Sequence, residues 1–223
     1  MARASAFQAE GSRFEPGHPL QFKMVWFLPI TFSLFLFAQP KNLALLENER
    51  FLLDLKYSST KNFLGENIYK RYGLSKCFVR NELKEKLEQV VPALKNKNLK
   101  LILWDCYRPL AVQEAMWKLV PDPRYVADPK KGSNHNRGAA VDVALADDKG
   151  NFLEFPSGFD DFTEKASPNY RCKKEEREKC QNRDLLIRLM SSVGLEVFPT
   201  EWWHFQLPRA EDFPLFRDFE SAK

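Results

Sequence analysis

The chain has 223 residues, 44% hydrophobic and 13% aromatic, enough to bury a full core as one domain. Its 34 Lys and Arg are interleaved with 30 Asp and Glu, for a formal charge of +4. That pattern lacks the basic stripe of a nucleic-acid surface, and the chain shows no internal repeat or low-complexity tract.

Lys23 precedes an uncharged run from Met24 to Ala38. The run is shorter than the ~20 apolar residues of a membrane span, and Pro29 interrupts it. Residues 1–38 therefore read as a secretory leader with cleavage near Ala38, leaving 39–223 as the working domain. The competing reading is a buried N-terminal helix or an uncleaved anchor. A leader predicts a periplasmic or secreted protein with no stable membrane span in its mature form; without one, the cytoplasm is expected. No feature suggests a protein partner.

Export favours a bridge between Cys172 and Cys180, which flank the charged run Lys173–Lys179. Closing that loop would stabilise the fold by roughly 2 to 3 kcal/mol. Cys77 and Cys106 stand in apolar settings and read as buried free thiols, since no pair shows CxxC spacing.

From about Pro40 the chain turns globular. A strand enters a structured loop between Leu55 and Tyr69, where Tyr57 and Tyr69 either line a pocket or simply pack. Leu83, Leu87, Val90, Val91 and Leu94 mark the apolar stripe of a helix that Pro92 should end or kink. Lys100–Asp105 reads as a central strand, and Pro109 as the start of a second helix. Ala140–Leu145 is a further strand, and Phe155–Tyr170 is a loop too long to be idle. Arg183–Ser192 is helical with Gly194 as its cap, and a closing strand pair, Glu196–Phe198 and Trp202–Leu207, flanks Pro199-Thr200. These elements predict an α+β domain: one central, mainly antiparallel sheet flanked by helices.

Chemistry concentrates in two stretches, Ser133–Asp142 and Glu201-Trp202-Trp203-His204. Of three histidines, His18 precedes the leader's apolar run, so a mature chain keeps His135 and His204. Two imidazoles and a carboxylate are what a catalytic zinc takes from its protein, with water as the fourth ligand. Seven positions separate His135 from Asp142, so a straight strand would point them apart; Asn136-Arg137-Gly138 supplies the required bend. With His204 as the third ligand, Glu201 is placed to take a proton from water attacking a peptide carbonyl. Arg108, at the end of the central strand, is either an oxyanion stabiliser or a structural ion-pair partner.

Ser133-x-His135-x-x-Gly138-x-Ala140-x-Asp142, Glu201-x-Trp203-His204 and Asp105-x-Tyr107-Arg108-Pro109 resemble the VanX-type D-alanyl-D-alanine dipeptidases, zinc peptidases of the M15 group. Tyr57 with Asn62-Phe63-x-Gly65, Tyr72-Gly73 ahead of Cys77, and Phe159-Asp160 support the likeness, which spans about residues 50 to 207. The resemblance implies one Zn2+ per chain on His135, Asp142 and His204, with Glu201 as base and Arg108 on the transition state. It implies that Ser133 and Asp160 hold a small dipeptide, with Tyr57 a further pocket residue. Asn134 stands where the family commonly has a second serine, and Pro156-Ser157-Gly158 replaces its Met-Gly-Thr. Alternatives are a D,D- or L,D-carboxypeptidase acting on peptidoglycan stems, and a non-catalytic, metal-stabilised wall-binding module.

Overall fold

The structure, a computed structural model, describes residues 42–216. The expected leader lies outside them. In chain order the elements are β1 (Leu43–Leu45), β2 (Phe51–Leu53), β3 (Phe78–Arg80), α1 (Asn81–Asn96), β4 (Leu99–Asp105), α2 (Leu110–Leu119), β5 (Ala140–Asp147), α3 (Arg177–Ser191), β6 (Glu196–Phe198) and β7 (Glu201–Gln206).

Two of these strands are apolar almost throughout, β4 (Leu-Lys-Leu-Ile-Leu-Trp-Asp) and β5 (Ala-Val-Asp-Val-Ala-Leu-Ala-Asp), and both are buried nearly end to end. Strands of that composition must be covered on both faces, so they occupy the middle of the five-stranded sheet, ordered β2-β4-β5-β7-β6. Only β2 runs parallel to its neighbour; the other pairings are antiparallel, as the sequence leads one to expect. β1 and β3 form a separate antiparallel pair.

Helix α1 packs against β4 through Leu83, Leu87, Val90 and Leu94, all fully buried. Each such side chain contributes roughly 1.5 to 3 kcal/mol, so Leu87→Ala would cost on the order of 2 to 5 kcal/mol. The helix runs through Pro92 to Asn96 rather than stopping there. Pro92 is on the exposed side, where water can satisfy the carbonyl that loses its partner. Helix α3 begins at Arg177, six residues before the expected start at Arg183, and the Cys172–Cys180 bridge ties down its first turn.

One cysteine expectation is overturned. Cys77 and Cys106 are not free thiols but a disulfide, with Cα atoms 5.4 Å apart. The backbone N–H of Tyr107 donates to Phe78 O at 2.8 Å, which brings the end of β4 beside the start of β3 and the two sulfurs into reach. The expected Cys172–Cys180 bridge is present. Among the described residues no helix is long and apolar enough to cross a membrane.

Candidate active site

Asp142 and His204 are direct cross-strand partners on β5 and β7, so their side chains leave the sheet on one face. His204 Nδ1 lies 3.0 Å from Asp142 Oδ1. His135 reaches the same place from a single 3-10 turn, His135–Arg137, closed by Gly138 at φ +63°. Only glycine fits there, since a Cβ would come within 2.6 Å of Leu43 and 3.1 Å of the Arg80 nitrogen. The turn is the bend that the Asn136-Arg137-Gly138 sequence predicts, and it sets His135 Nε2 3.3 Å from Asp142 Oδ1 and 3.1 Å from His204 Nδ1.

These three atoms form a buried triangle suited to a metal ion. Its sides accommodate a cation bonded to each corner at about 2.0 to 2.2 Å. Two further observations fit a cation. Asp142 Oδ1 is buried, makes no hydrogen bond of good geometry, and is faced only by the two imidazole nitrogens at 3.0 and 3.3 Å. His135 Nδ1 lies 2.8 Å from the Cys106 carbonyl, which can only accept, so Nδ1 carries the proton and the Nε2 lone pair faces the triangle. Burial disfavours a charged Asp142, but the two imidazoles override it and hold the carboxyl far below the usual range. Burial likewise opposes protonation of His135, and the charges of Asp142 and Asp105 outweigh it and raise its pKa.

Glu201 stands outside the triangle, its Oε2 3.8 Å from His204 Nδ1. Glu201 and His204 are three apart and would diverge on a regular strand. The β6–β7 register resolves this: Glu196 pairs with Gln206 and Val197 with Phe205, but Phe198 then pairs with Glu201. The bulge in β7 turns both side chains toward one pocket. Burial pushes the Glu201 carboxyl up to about 7; the charge of Asp142 adds to this while His204 and Arg108 oppose it.

Arg108 is buried and fixed by three bonds: Nε and Nη2 donate to Asp105 Oδ2 at 3.0 and 2.6 Å, and Nη1 donates to Gln113 Oε1 at 2.9 Å. Burial works against its charge, but Asp105 reverses this and holds its pKa well above the usual range. A guanidinium has five N–H groups, so one on each terminal nitrogen remains beyond these three bonds. Arg108 is thus ion-paired to Asp105, and it also lines the cavity beside the triangle.

Tyr57 and Asp160, 103 positions apart, meet in the pocket, with the Tyr57 hydroxyl donating to the carboxylate at 3.1 to 3.2 Å. Burial raises the pKa of Asp160 well above the usual range, as does the nearby charge of Asp142. Its backbone is left-handed, φ +54°, a conformation that costs a non-glycine residue energy and recurs at functional positions. Ser133 Oγ accepts from the His135 N–H at 3.2 Å and lies beside the ligands.

A cavity of about 190 Å3 is lined by Tyr57, Arg108, Ser133, Asp160 and Glu201 together with the three corners of the triangle. Its outer wall is aromatic: Tyr125 and Phe162 sit 4.9 Å apart, ring centre to ring centre, and Phe63 lies 5.9 Å from Phe162. Pockets for drug-sized ligands run to roughly 300 to 1,000 Å3, so this one suits something smaller. Sequence reasoning gave no role to Asp105 or Gln113, yet Asp105 takes bonds from Arg108 and from the hydroxyl of Tyr69, which is buried outside the cavity lining. A glutamine on the buried side of α2, beside Val112 and Met116, was the available signal.

An α+β domain that holds two imidazoles and a carboxylate in a buried triangle, with a second acid beside them, has the architecture of a mononuclear metallopeptidase. Residues 47–221 match the sequence model of the M15 peptidase family, described as D-ala-D-ala dipeptidase, and the chain belongs to that family. It is 34% identical over 166 residues to the D-alanyl-D-alanine dipeptidase of Escherichia coli (strain K12), covering 74% of this chain and 83% of that one. The D-alanyl-D-alanine dipeptidase of Enterococcus faecium is 28% identical over 183 residues, 72% of this chain and 87% of its own. The same-named protein of Enterococcus faecalis (strain ATCC 700802 / V583) is 25% identical over 173 residues, 69% and 84%.

Proposed function

We propose that the protein hydrolyses D-alanyl-D-alanine, or a closely related D-containing dipeptide released in peptidoglycan metabolism, with one zinc ion per chain. The observation that carries this reading is the His135–Asp142–His204 triangle with Glu201 beside it in a small pocket. Bound zinc would supply Lewis acidity, which acidifies water and polarises a carbonyl.

The chain's own groups supply the rest. Glu201 takes the proton of the attacking water and returns it to the leaving amine nitrogen. Burial raises the pKa of this carboxyl in the metal-free site, which favours its holding a proton between the two transfers. Arg108 directs its free N–H edge at the oxygen on which negative charge develops, and Asp105 and Gln113 hold that edge in place before the substrate arrives. Asp160, backed by Tyr57, pairs with the substrate's ammonium group, and Ser133 hydrogen-bonds its backbone. A peptidoglycan stem needs an open groove, and the Tyr125–Phe162 wall argues for the dipeptide instead. Retention of Glu201 and a braced Arg108 beside the ligands argues against a binding module, which needs neither.

The two disulfides support an oxidising compartment, and with the leader-like segment they favour the periplasm or the exterior. The test of function is turnover of D-Ala-D-Ala, L-Ala-L-Ala and a pentapeptide stem by the zinc-loaded protein. Cleavage of D-Ala-D-Ala alone is expected; cleavage of the stem with no dipeptide turnover would replace this reading with a carboxypeptidase.

A further inference from the structure

His135 is the only member of the triangle that is not on a strand; it belongs to a turn of three residues, His135–Arg137. A turn of that length has too few internal hydrogen bonds to hold a shape by itself. Beyond the Gly138 N–H, which donates to His135 O at 3.0 Å, the carbonyls here are satisfied from elsewhere in the chain. His135 O accepts from the Arg108 N–H at 3.2 Å and Asn136 O from the Phe216 N–H at 3.1 Å. Arg137 O accepts from Arg80 Nε at 3.1 Å, and Gly138 O from the Arg80 N–H at 2.8 Å. Two of these four donors thus belong to Arg80 and one to the segment Phe213–Phe216.

Arg80 is only 4% exposed and forms no close ion pair among the described residues; burial lowers its pKa against the opposing charge of Glu82. A buried guanidinium so placed is costly unless its surroundings replace water. Here they do: it lies 4.7 Å from the ring centres of both Phe213 and Phe216, and Nη2 donates to Pro214 O at 3.3 Å. The same segment reaches the ends of the metal-binding loop. A Cβ at Gly132 would collide with the Leu215 side chain, and one at Gly138 would come 3.3 Å from the Phe216 ring.

We propose that Arg80 and the segment Phe213–Phe216 are positioning elements for His135: they clamp its turn from behind so that Nε2 meets Asp142 and His204. The inference rests on the reading of the triangle as a metal site. A displacement of an ångström in a ligand supplied by an unsupported turn weakens the whole set, and outer partners of metal ligands typically govern about 10- to 100-fold in affinity. Neither Arg80 nor Phe216 lines the cavity or belongs to the triangle, so they act only through the turn.

The test is zinc affinity, by competition with a chromophoric chelator at neutral pH, for the wild-type chain, E201A, R80A, R80K and F216A. Thermal unfolding of each metal-free protein and 15N shifts of the His135 imidazole are measured alongside. R80A and F216A are expected to bind zinc about 10- to 100-fold more weakly while still folding. In both, the His135 ring should lose its strict Nδ1–H tautomer, and R80K should recover part of the affinity. Phe216 is only half-buried, so F216A keeps the test open if R80A fails to fold. Folded variants with wild-type zinc affinity and an unchanged His135 tautomer would overturn the proposal, whatever their unfolding temperature. Failure of the wild-type chain and E201A to bind zinc would instead remove the metal-site reading itself, and the proposal with it.

Discussion

The site has a strand-borne half and a loop-borne half, held by different physics. Asp142, Glu201 and His204 sit on β5 and β7, where register pairing alone brings Asp142 opposite His204 and one bulge turns Glu201 toward them. His135, Tyr57 and Asp160 come from turns and loops, and each is fixed by specific partners: the Cys106 carbonyl for His135, and the Tyr57 hydroxyl for Asp160. A ladder supplies rigidity through many equivalent bonds, whereas a loop needs a separate brace for every functional group. The strand half should therefore fail only when its own groups are removed, and the loop half when its braces are.

The largest effects test the strand half. His204→Ala removes a corner of the triangle, so zinc and hydrolysis should both be lost, with activity falling to background. Glu201→Ala leaves the triangle intact and should keep one zinc per chain while kcat falls about 100- to 10,000-fold. Metal analysis and steady-state kinetics on the two purified variants separate the roles. Loss of zinc from E201A would make Glu201 a ligand rather than the base.

That half was also the more legible in the sequence. Histidine is rare in this chain, and the apolar runs of β4 and β5 mark central strands whatever surrounds them. The spacing of His135 and Asp142 even required the bend that the 3-10 turn provides. What sequence could not convey was long-range pairing. Cys77 and Cys106 meet only because β3 returns alongside the end of β4, a contact that neither cysteine's neighbours announce. Arg80 and Phe216 are 136 positions apart and carry no motif; their meeting at the turn of His135 is a property of the fold. The start of α3 was hidden for a local reason, because its first turn is charged and lacks an apolar period.

An intermediate effect tests a brace. The Cys77–Cys106 bridge anchors the strand end whose carbonyl orients His135, while Cys172–Cys180 closes a loop at the start of α3. By loop length, removing the first should cost about 3 to 4 kcal/mol and the second about 2 to 3, read from urea denaturation. The sharper contrast is in the metal: C77S/C106S should weaken zinc binding, and C172S/C180S should leave it unchanged. Equal zinc affinities in the two double variants would show that the end of β4 keeps its place without the disulfide.

The smallest effect concerns charge in the loop half. Burial and the charge of Asp142 raise the pKa of Asp160 above the 3.8 of an ordinary aspartate, so the folded metal-free protein holds this proton more tightly than the unfolded chain. Its contribution to stability is then fully present below pH 3.8 and is lost as pH rises through the elevated folded-state pKa. Measured against D160N, wild-type stability should fall with rising pH across that window and level off above it. A cationic amine entering the pocket reverses the balance, because it favours the ionised carboxyl and drives the proton out. Dipeptide binding below the elevated pKa should therefore release a proton, seen as a dependence of calorimetric heat on the buffer's ionisation enthalpy. In D160N that dependence should shrink. If it persists at full size, the proton comes from another group, and the ammonium pocket must be sought elsewhere than at Asp160.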